Sequence, residues 1–193
     1  MKDMLKLGAA LAAYCVVACA LLALVNNVTK PIIDAADAEA LKNGQLEVFA
    51  AADDFQSVDK DGYTIPAGSK TKIKSFALAQ KGGTVIGAVI QATGATYGTA
   101  TILIGVNADK TLTQIKFMSI DDTPGFGQKA TESTFYGQFE GMDVSGVVAV
   151  KKDGGSIDAI TGATITSRGV AAIVKDASAV ANAYFDANGI KGE

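Results

Sequence analysis

From Leu7 to Val25 the chain runs for 19 residues without a charge and with hardly a polar side chain. A helix rises ~1.5 Å per residue, so the run is long enough to cross the ~30 Å hydrocarbon core of a bilayer. This feature divides the chain into a segment suited to lipid and about 160 residues that have to fold in water. Lys2 and Lys6 precede the run, whereas Asn26, Asn27, Thr29, Lys30 and Pro31 follow it, and then Asp34, Asp37 and Glu39. Positive charge on the N-terminal side favours an N-inside orientation. The expectation is a single-pass anchor over residues 1–30 in the cell (inner, cytoplasmic) membrane, with an extracytoplasmic domain beyond it. A cleaved signal peptide fits less well, because its apolar region is usually only ~7–15 residues long. Val16-Val17-Ala18-Cys19 resembles a lipoprotein cleavage box, but the apolar run continues to Val25, where a lipoprotein would turn polar.

Composition excludes several kinds of chemistry. The formal net charge is −3, and Lys2 and Lys6 both precede the apolar run, so the soluble part is more acidic still. Such a surface does not suit nucleic acid as a partner. There is no histidine, which removes imidazole acid–base chemistry and histidine-ligated metals. Cys15 and Cys19 both lie in the apolar run, so the soluble part has neither a disulfide nor a thiolate cluster of its own. Four residues apart, they share a helix face. They read as small packing residues, or as part of a metal site completed by a partner subunit.

Beyond the anchor, residues 31–52 are rich in Ala, Leu and Glu and predict a linking helix, with Asp34 as a cap near its start. Residues 53–193 form the soluble domain. Asp53 to Gly68 reads as loop with at most one short strand. Strand patterns follow at Ile73–Gln80, Thr84–Gln91, Thr99–Val106 and Thr111–Ser119, separated by short turns such as Lys81-Gly82-Gly83. Two more are predicted at Val144–Val150 and Ser156–Ile160. Strands joined this way make an antiparallel sheet with helices packed on it, an α+β domain.

The stretch from Asp158 to Ser167 combines an acid, a Gly/Ala turn and several hydroxyls just ahead of a helical pattern. Val170, Ile173, Val174, Ala177, Val180, Ala181 and Tyr184 recur at helical spacing, and Gly189 supplies a stop. The N-terminus of such a helix presents free N–H groups and partial positive charge, a good place for a phosphate. Gly162 and Ala163 let the backbone approach closely. A run of Thr and Ser before a helix can equally be a simple cap. Two loops share this chemistry: Thr93 to Thr99, around Tyr97 and Gly98, and Asp121 to Gly127, containing Thr123, Pro124, Gly125 and Phe126. Each offers backbone, hydroxyls and a flat ring, as a flavin would require, although both could be ordinary turns.

Asp158, Thr161, Gly162, Ala163 and Thr164 match the flavin-attachment signature D-x-x-[ST]-G-A-T at every specified position. With the N-terminal helix, the Tyr97-Gly98 loop and Asp122-Thr123-Pro124-Gly125-Phe126-Gly127, the whole chain resembles RnfG, the FMN-binding component of the Rnf complex. More distantly it is similar to NqrC, its counterpart in the sodium-pumping NADH:quinone reductase. The family segment usually reads E-T-P-G-L-G; here Asp122 stands for the Glu and Phe126 for the Leu, and Ile120 occupies a position where a histidine is common.

The resemblance implies FMN bound covalently through its phosphate to Thr164. It places Thr161, Gly162, Ala163, Thr166, Tyr97, Gly98, Asp122, Thr123, Pro124, Gly125 and Phe126 around the cofactor. It further implies an electron-transfer subunit of an ion-translocating ferredoxin:NAD⁺ oxidoreductase. The partners would be the other membrane and peripheral subunits, the lipid bilayer, and a separate flavin transferase that uses FAD and Mg²⁺. Asp158 would be either part of what the transferase recognises or a turn-stabilising carboxylate. The competing functions are an FMN subunit of another respiratory or extracellular electron-transfer chain, a non-covalent sensor module, a flavin reductase (without a GxGxxG signature) and a structural subunit with Thr164 as a mere cap.

Overall fold

Alternation of apolar residues along four long strands builds the sheet on which everything else rests. The computed structural model describes residues 2–66 and 68–192. The strands are β1 (Asp54–Ser57), β2 (Lys72–Lys81), β3 (Thr84–Ala95), β4 (Thr99–Asn107) and β5 (Leu112–Ile120), paired antiparallel in the order β1-β2-β3-β4-β5. This is an up-and-down meander, the form expected of strands joined by short turns.

The period of two sends alternate residues to opposite faces. Ala88, Ile90 and Ala92 of β3 and Ile102, Ile104 and Val106 of β4 join one core. A long C-terminal helix (Thr164–Asn188) covers this face with Val170, Ile173, Val174, Ala177, Val180, Ala181 and Phe185. It ends where Gly189 takes a left-handed conformation (φ 66°) and its N–H bonds to Phe185 O. The helical reading of this segment from its periodicity, and its stop at Gly189, both hold.

The N-terminal helix α1 spans Lys2–Val48. The chain divides into two compact units, one ending at Lys42 and one starting at Asn43, so the last turns of α1 belong to the second unit. In that unit Val48 and Phe49 (both 2% exposed) and Ala52 are buried, and Thr113 Oγ1 donates to Val48 O at 2.7 Å. Lys116 of β5 pairs with Glu47. Leu103 of β4, fully buried, lies against Gly44. Both faces of the sheet are therefore covered. In the first unit α1 contains a window hydrophobic enough to cross a membrane, none of it buried in protein.

Three expectations are corrected. Asp34 caps nothing, because α1 runs without a break through Pro31 and past Asp34; a proline removes one donor, but here the helix continues on both sides of it. The helix also stops at Val48 and turns over residues 49–52. Val144–Val150 and Ser156–Ile160 are not ladder strands. They form a strap held by two isolated bridges, Thr111 to Asp143 and Val150 to Ile157. The chain turns there because Asp143 Oδ1 accepts from Ser145 N and Ser145 Oγ (2.8 and 2.6 Å), and again over a short turn at Lys151–Asp153. Val144, Val148, Val150 and Ile157 are buried while Val147 is exposed, so the apolar pattern marks burial rather than pairing. Between β5 and the strap lies the short helix α2 (Ser133–Tyr136), which carries Phe135 edge-to-face against Phe139. The C-terminal helix is accordingly α3.

Removal of the Phe49 ring, which is buried against the sheet, is expected to lower the stability of the domain by ~3–5 kcal/mol, whereas Asp34→Ala should change it by less than ~0.5 kcal/mol. Urea unfolding of the two variants in the same detergent checks both. Equal midpoints would mean that the end of α1 is not part of the domain.

Candidate functional site

Pairing β4 with both β3 and β5 sets the β3–β4 turn and the end of β5 at the same edge of the sheet. Ala100 pairs with Ile120 and Gly94 with Ala100, and Asp121 N bonds to Thr99 O at 2.9 Å. The turn Thr96–Gly98 and the loop Asp121–Gly127 are thereby brought side by side. The first turns of α3 arrive at the same place: a Cβ on Gly169 would stand only 2.5 Å from Ala95 O and 2.7 Å from Thr96 Cα.

One carboxylate holds these three segments together. Asp122 is 3% exposed. Its Oδ1 accepts from Thr96 Oγ1 at 2.5 Å and from Gly98 N at 2.8 Å, and its Oδ2 accepts from Thr166 Oγ1 in α3. Burial pushes its carboxyl upward, but the bonds from Thr166, Thr96 and the main-chain N–H groups of Gly98 and Tyr97 outweigh burial and hold it below the ordinary carboxylate range. Gly127 leaves room for this arrangement, since a Cβ there would lie 2.5 Å from Asp122 Oδ2 and 2.7 Å from Thr166 Oγ1.

The start of α3 is shaped by Gly162 and Ser167. Gly162 sits at φ +81°, a left-handed conformation that a side chain would strain. Ser167, fully buried, closes the turn on itself: its Oγ accepts from Ile160 N at 2.9 Å and donates to Ala163 O at 3.0 Å. The residue before the helix, Ala163, provides no side-chain cap, and the first helical bond runs from Ser167 N to Ala163 O. The N–H groups of Thr164, Ile165 and Thr166 therefore point outward without a partner among the described residues, as the first turn of a helix dictates.

The hydroxyls of the motif have different fates. Thr166 is buried and donates to Asp122; Ser167 is buried in the turn. Thr161 is exposed and lines a separate depression with Asp158, Gln138 and Lys129. Thr164, half-buried, opens onto a cavity of about 410 Å³ and makes no side-chain hydrogen bond among the described residues. That cavity is lined by Tyr97, Thr123, Phe126, Gly127 and the run Gly162–Thr166. Tyr97 (70% exposed), Phe126 (56%) and Ile165 (58%) form an apolar rim.

Of the residues expected around a cofactor, Tyr97, Thr123, Phe126, Gly162, Ala163, Thr164 and Thr166 line one cavity. Gly98 and Asp122 lie behind its wall, and Pro124, Gly125 and Thr161 do not line it. Asp158 is exposed, paired with Lys151 at 2.7 Å, and its main chain is held by Gln138 (Asp158 N to Gln138 Oε1 2.7 Å; Gln138 Nε2 to Asp158 O 3.3 Å). Sequence reasoning missed the bond from Thr166 to Asp122 and the place of Ile165 on the rim. The first had no signal, since its partners stand 44 positions apart; the second was visible as an apolar residue inside a polar run. Among the described residues no cluster of acids and cysteines could hold a metal ion.

The chain is similar to proteins of known family. Residues 96–179 match the FMN-binding domain family, and residues 1–48 match the RnfG N-terminal region. The G component of an ion-translocating oxidoreductase complex from Methanosarcina acetivorans is 32% identical over 88% of this chain and 89% of its own length. The G component of a Na⁺-translocating ferredoxin:NAD⁺ oxidoreductase complex from Acetobacterium woodii is 31% identical over 88% of this chain and 87% of its own. Among solved structures, the C component of a Na⁺-translocating NADH-quinone reductase from Parabacteroides distasonis is 28% identical over 57% of this chain and 62% of its own, with a TM-score of 0.47.

The depressed pKa of Asp122 gives a testable pH dependence. An ionised carboxylate held below its unfolded value (~3.9) adds stability that is present above that pH and disappears as pH falls through the folded value. Asp122→Asn is expected to cost ~1–3 kcal/mol near pH 7, with the gap to the wild type closing below pH ~4. Urea titrations at pH 7 and pH 3 measure it; a gap of the same size at both values would contradict the assignment.

Proposed function

The chain belongs to the RnfG family of ion-translocating oxidoreductase (Rnf) complexes, and on that premise we propose that it carries FMN esterified through its phosphate to Thr164. In this role it is an electron-carrying subunit of a membrane-bound ferredoxin:NAD⁺ oxidoreductase that moves ions. The observation that supports it most is the separation of hydroxyls at the start of α3. Thr166 and Ser167 are engaged and buried, Thr161 faces elsewhere, and of these four Thr164 alone combines the cavity with a hydroxyl and neighbouring N–H groups that have no partner among the described residues.

The residues fit the group. A phosphate on Thr164 Oγ1 would meet the unpaired N–H groups of the first turn and the positive end of the helix dipole. A cavity of about 410 Å³ falls within the range of small-molecule pockets, ~300–1,000 Å³, and Tyr97, Phe126 and Ile165 offer apolar surface to a flat ring. When bound, the flavin supplies reversible uptake of electrons and protons. The chain itself anchors the phosphate, flanks the ring and leaves one side open. A tether also keeps the cofactor at high local concentration outside the cytoplasm, where a dissociated one would be lost.

In this reading residues 1–30 are a single-pass membrane anchor with the N-terminus inside. Residues 31–52 connect it to an extracytoplasmic domain, 53–193, with the part from Asn43 packed on the sheet. The partners are the other Rnf subunits, the bilayer and a flavin transferase, which attaches the FMN. Thr161, Gly98, Asp122, Pro124 and Gly125 support the site from behind or beside it.

Thr164→Val, co-expressed with the transferase, is expected to lose all covalent flavin while keeping its fold. Intact mass and in-gel flavin fluorescence after denaturation read this out. Fluorescence retained by the variant would defeat the Thr164 assignment, and a wild type without flavin would favour a structural subunit.

A further inference from the structure

Asp122 carries a charge that nothing beside it neutralises. Among the described residues no lysine or arginine lies within ion-pair distance of it; the five ion pairs all involve other carboxylates. Its ionised form is held instead by hydroxyl and main-chain donors. The carboxylate is also close to the cavity. Thr166, whose Oγ1 bonds to Oδ2, is part of the wall, and so is Gly127, whose Cα would direct a Cβ to 2.5 Å from the same oxygen.

Resting on the reading that FMN occupies this cavity, we propose that Asp122 is a positioning and charge-setting residue that poises the bound cofactor at a lower midpoint potential. Two-electron reduction of a flavin near neutral pH takes up two electrons and one proton, so the occupant of the cavity gains one negative charge. A fixed carboxylate behind the wall opposes that gain, and its burial keeps water from screening it. At an effective dielectric constant of ~20 and a separation of ~10 Å, one charge changes such an equilibrium roughly tenfold. The hydroxyl donors also explain how the charge persists in a buried place without a cation, which would cancel the effect.

The test is spectroelectrochemical titration of the flavinylated full chain in detergent, with dithionite as reductant, for the wild type and for Asp122→Asn and Asp122→Glu. Asn keeps an acceptor without the charge; Glu keeps the charge with a longer reach. The expected result is a higher midpoint potential in Asp122→Asn, with the reduced-to-oxidised ratio at the wild-type midpoint raised roughly tenfold, and a value near wild type in Asp122→Glu. If Asp122→Asn does not fold or takes up no flavin, Asp122→Ser replaces it, with the same expectation. An unchanged potential in the neutral variant overturns the proposal, and so does an equal shift in the neutral and Glu variants, which would show an effect of shape alone. A wild type that carries no flavin fails the underlying reading instead, and its intact mass reveals that before any titration.

Discussion

The site is assembled by one buried anion. Asp122 receives hydrogen bonds from the β3–β4 turn and from the first turn of α3, and it sits itself in the loop after β5. An unpaired carboxylate in a protein interior is costly, and only several donors aimed at it make it tolerable. Those donors come from parts of the chain that are remote in sequence, so satisfying the charge and closing the cavity wall are one event. The glycine at position 127 and the approach of α3 to the β3–β4 turn are consequences of the same arrangement.

The sheet supplies the frame. A meander covered on one face by α3 and on the other by the last turns of α1 fixes which ends of strands meet, and so fixes where the three segments converge. Because α3 is packed along its length on β3 and β4, its N-terminus is held rigidly at the edge of the sheet. The free N–H groups of that terminus thus face a cavity rather than bulk solvent. Rigidity of this kind matters to an electron carrier, whose exchange with a partner depends on a fixed placement of the redox group.

Much of this was legible in the residues. The apolar run of α1, the four long strands and the amphipathic pattern of α3 follow directly from periodicity. Thr164 stood out because the turn before it has a recognisable signature. What remained hidden was of two kinds. The apolar spacing of residues 144–150 looked like a strand because burial in a strap and burial in a sheet leave the same mark. Pro31 and Asp34 looked like a helix boundary because local signals ignore how long an apolar helix continues around them. The role of Asp122 depended on contacts 24 to 44 positions away, and no local pattern encodes those. Its family position was visible, but its burial was not.

The separation of hydroxyls in the motif gives the account its chemistry. Two are consumed by the fold, one faces a different depression, and one is left open beside a helix N-terminus. Peptide mapping by mass spectrometry of the wild-type chain, isolated from membranes that contain the transferase, tests this most directly. The account predicts a single modified peptide with FMN phosphate on Thr164 and with Thr161, Thr166 and Ser167 unmodified. Recovery of an unmodified Thr164 from a functioning complex, or of FMN on Thr166, would contradict it.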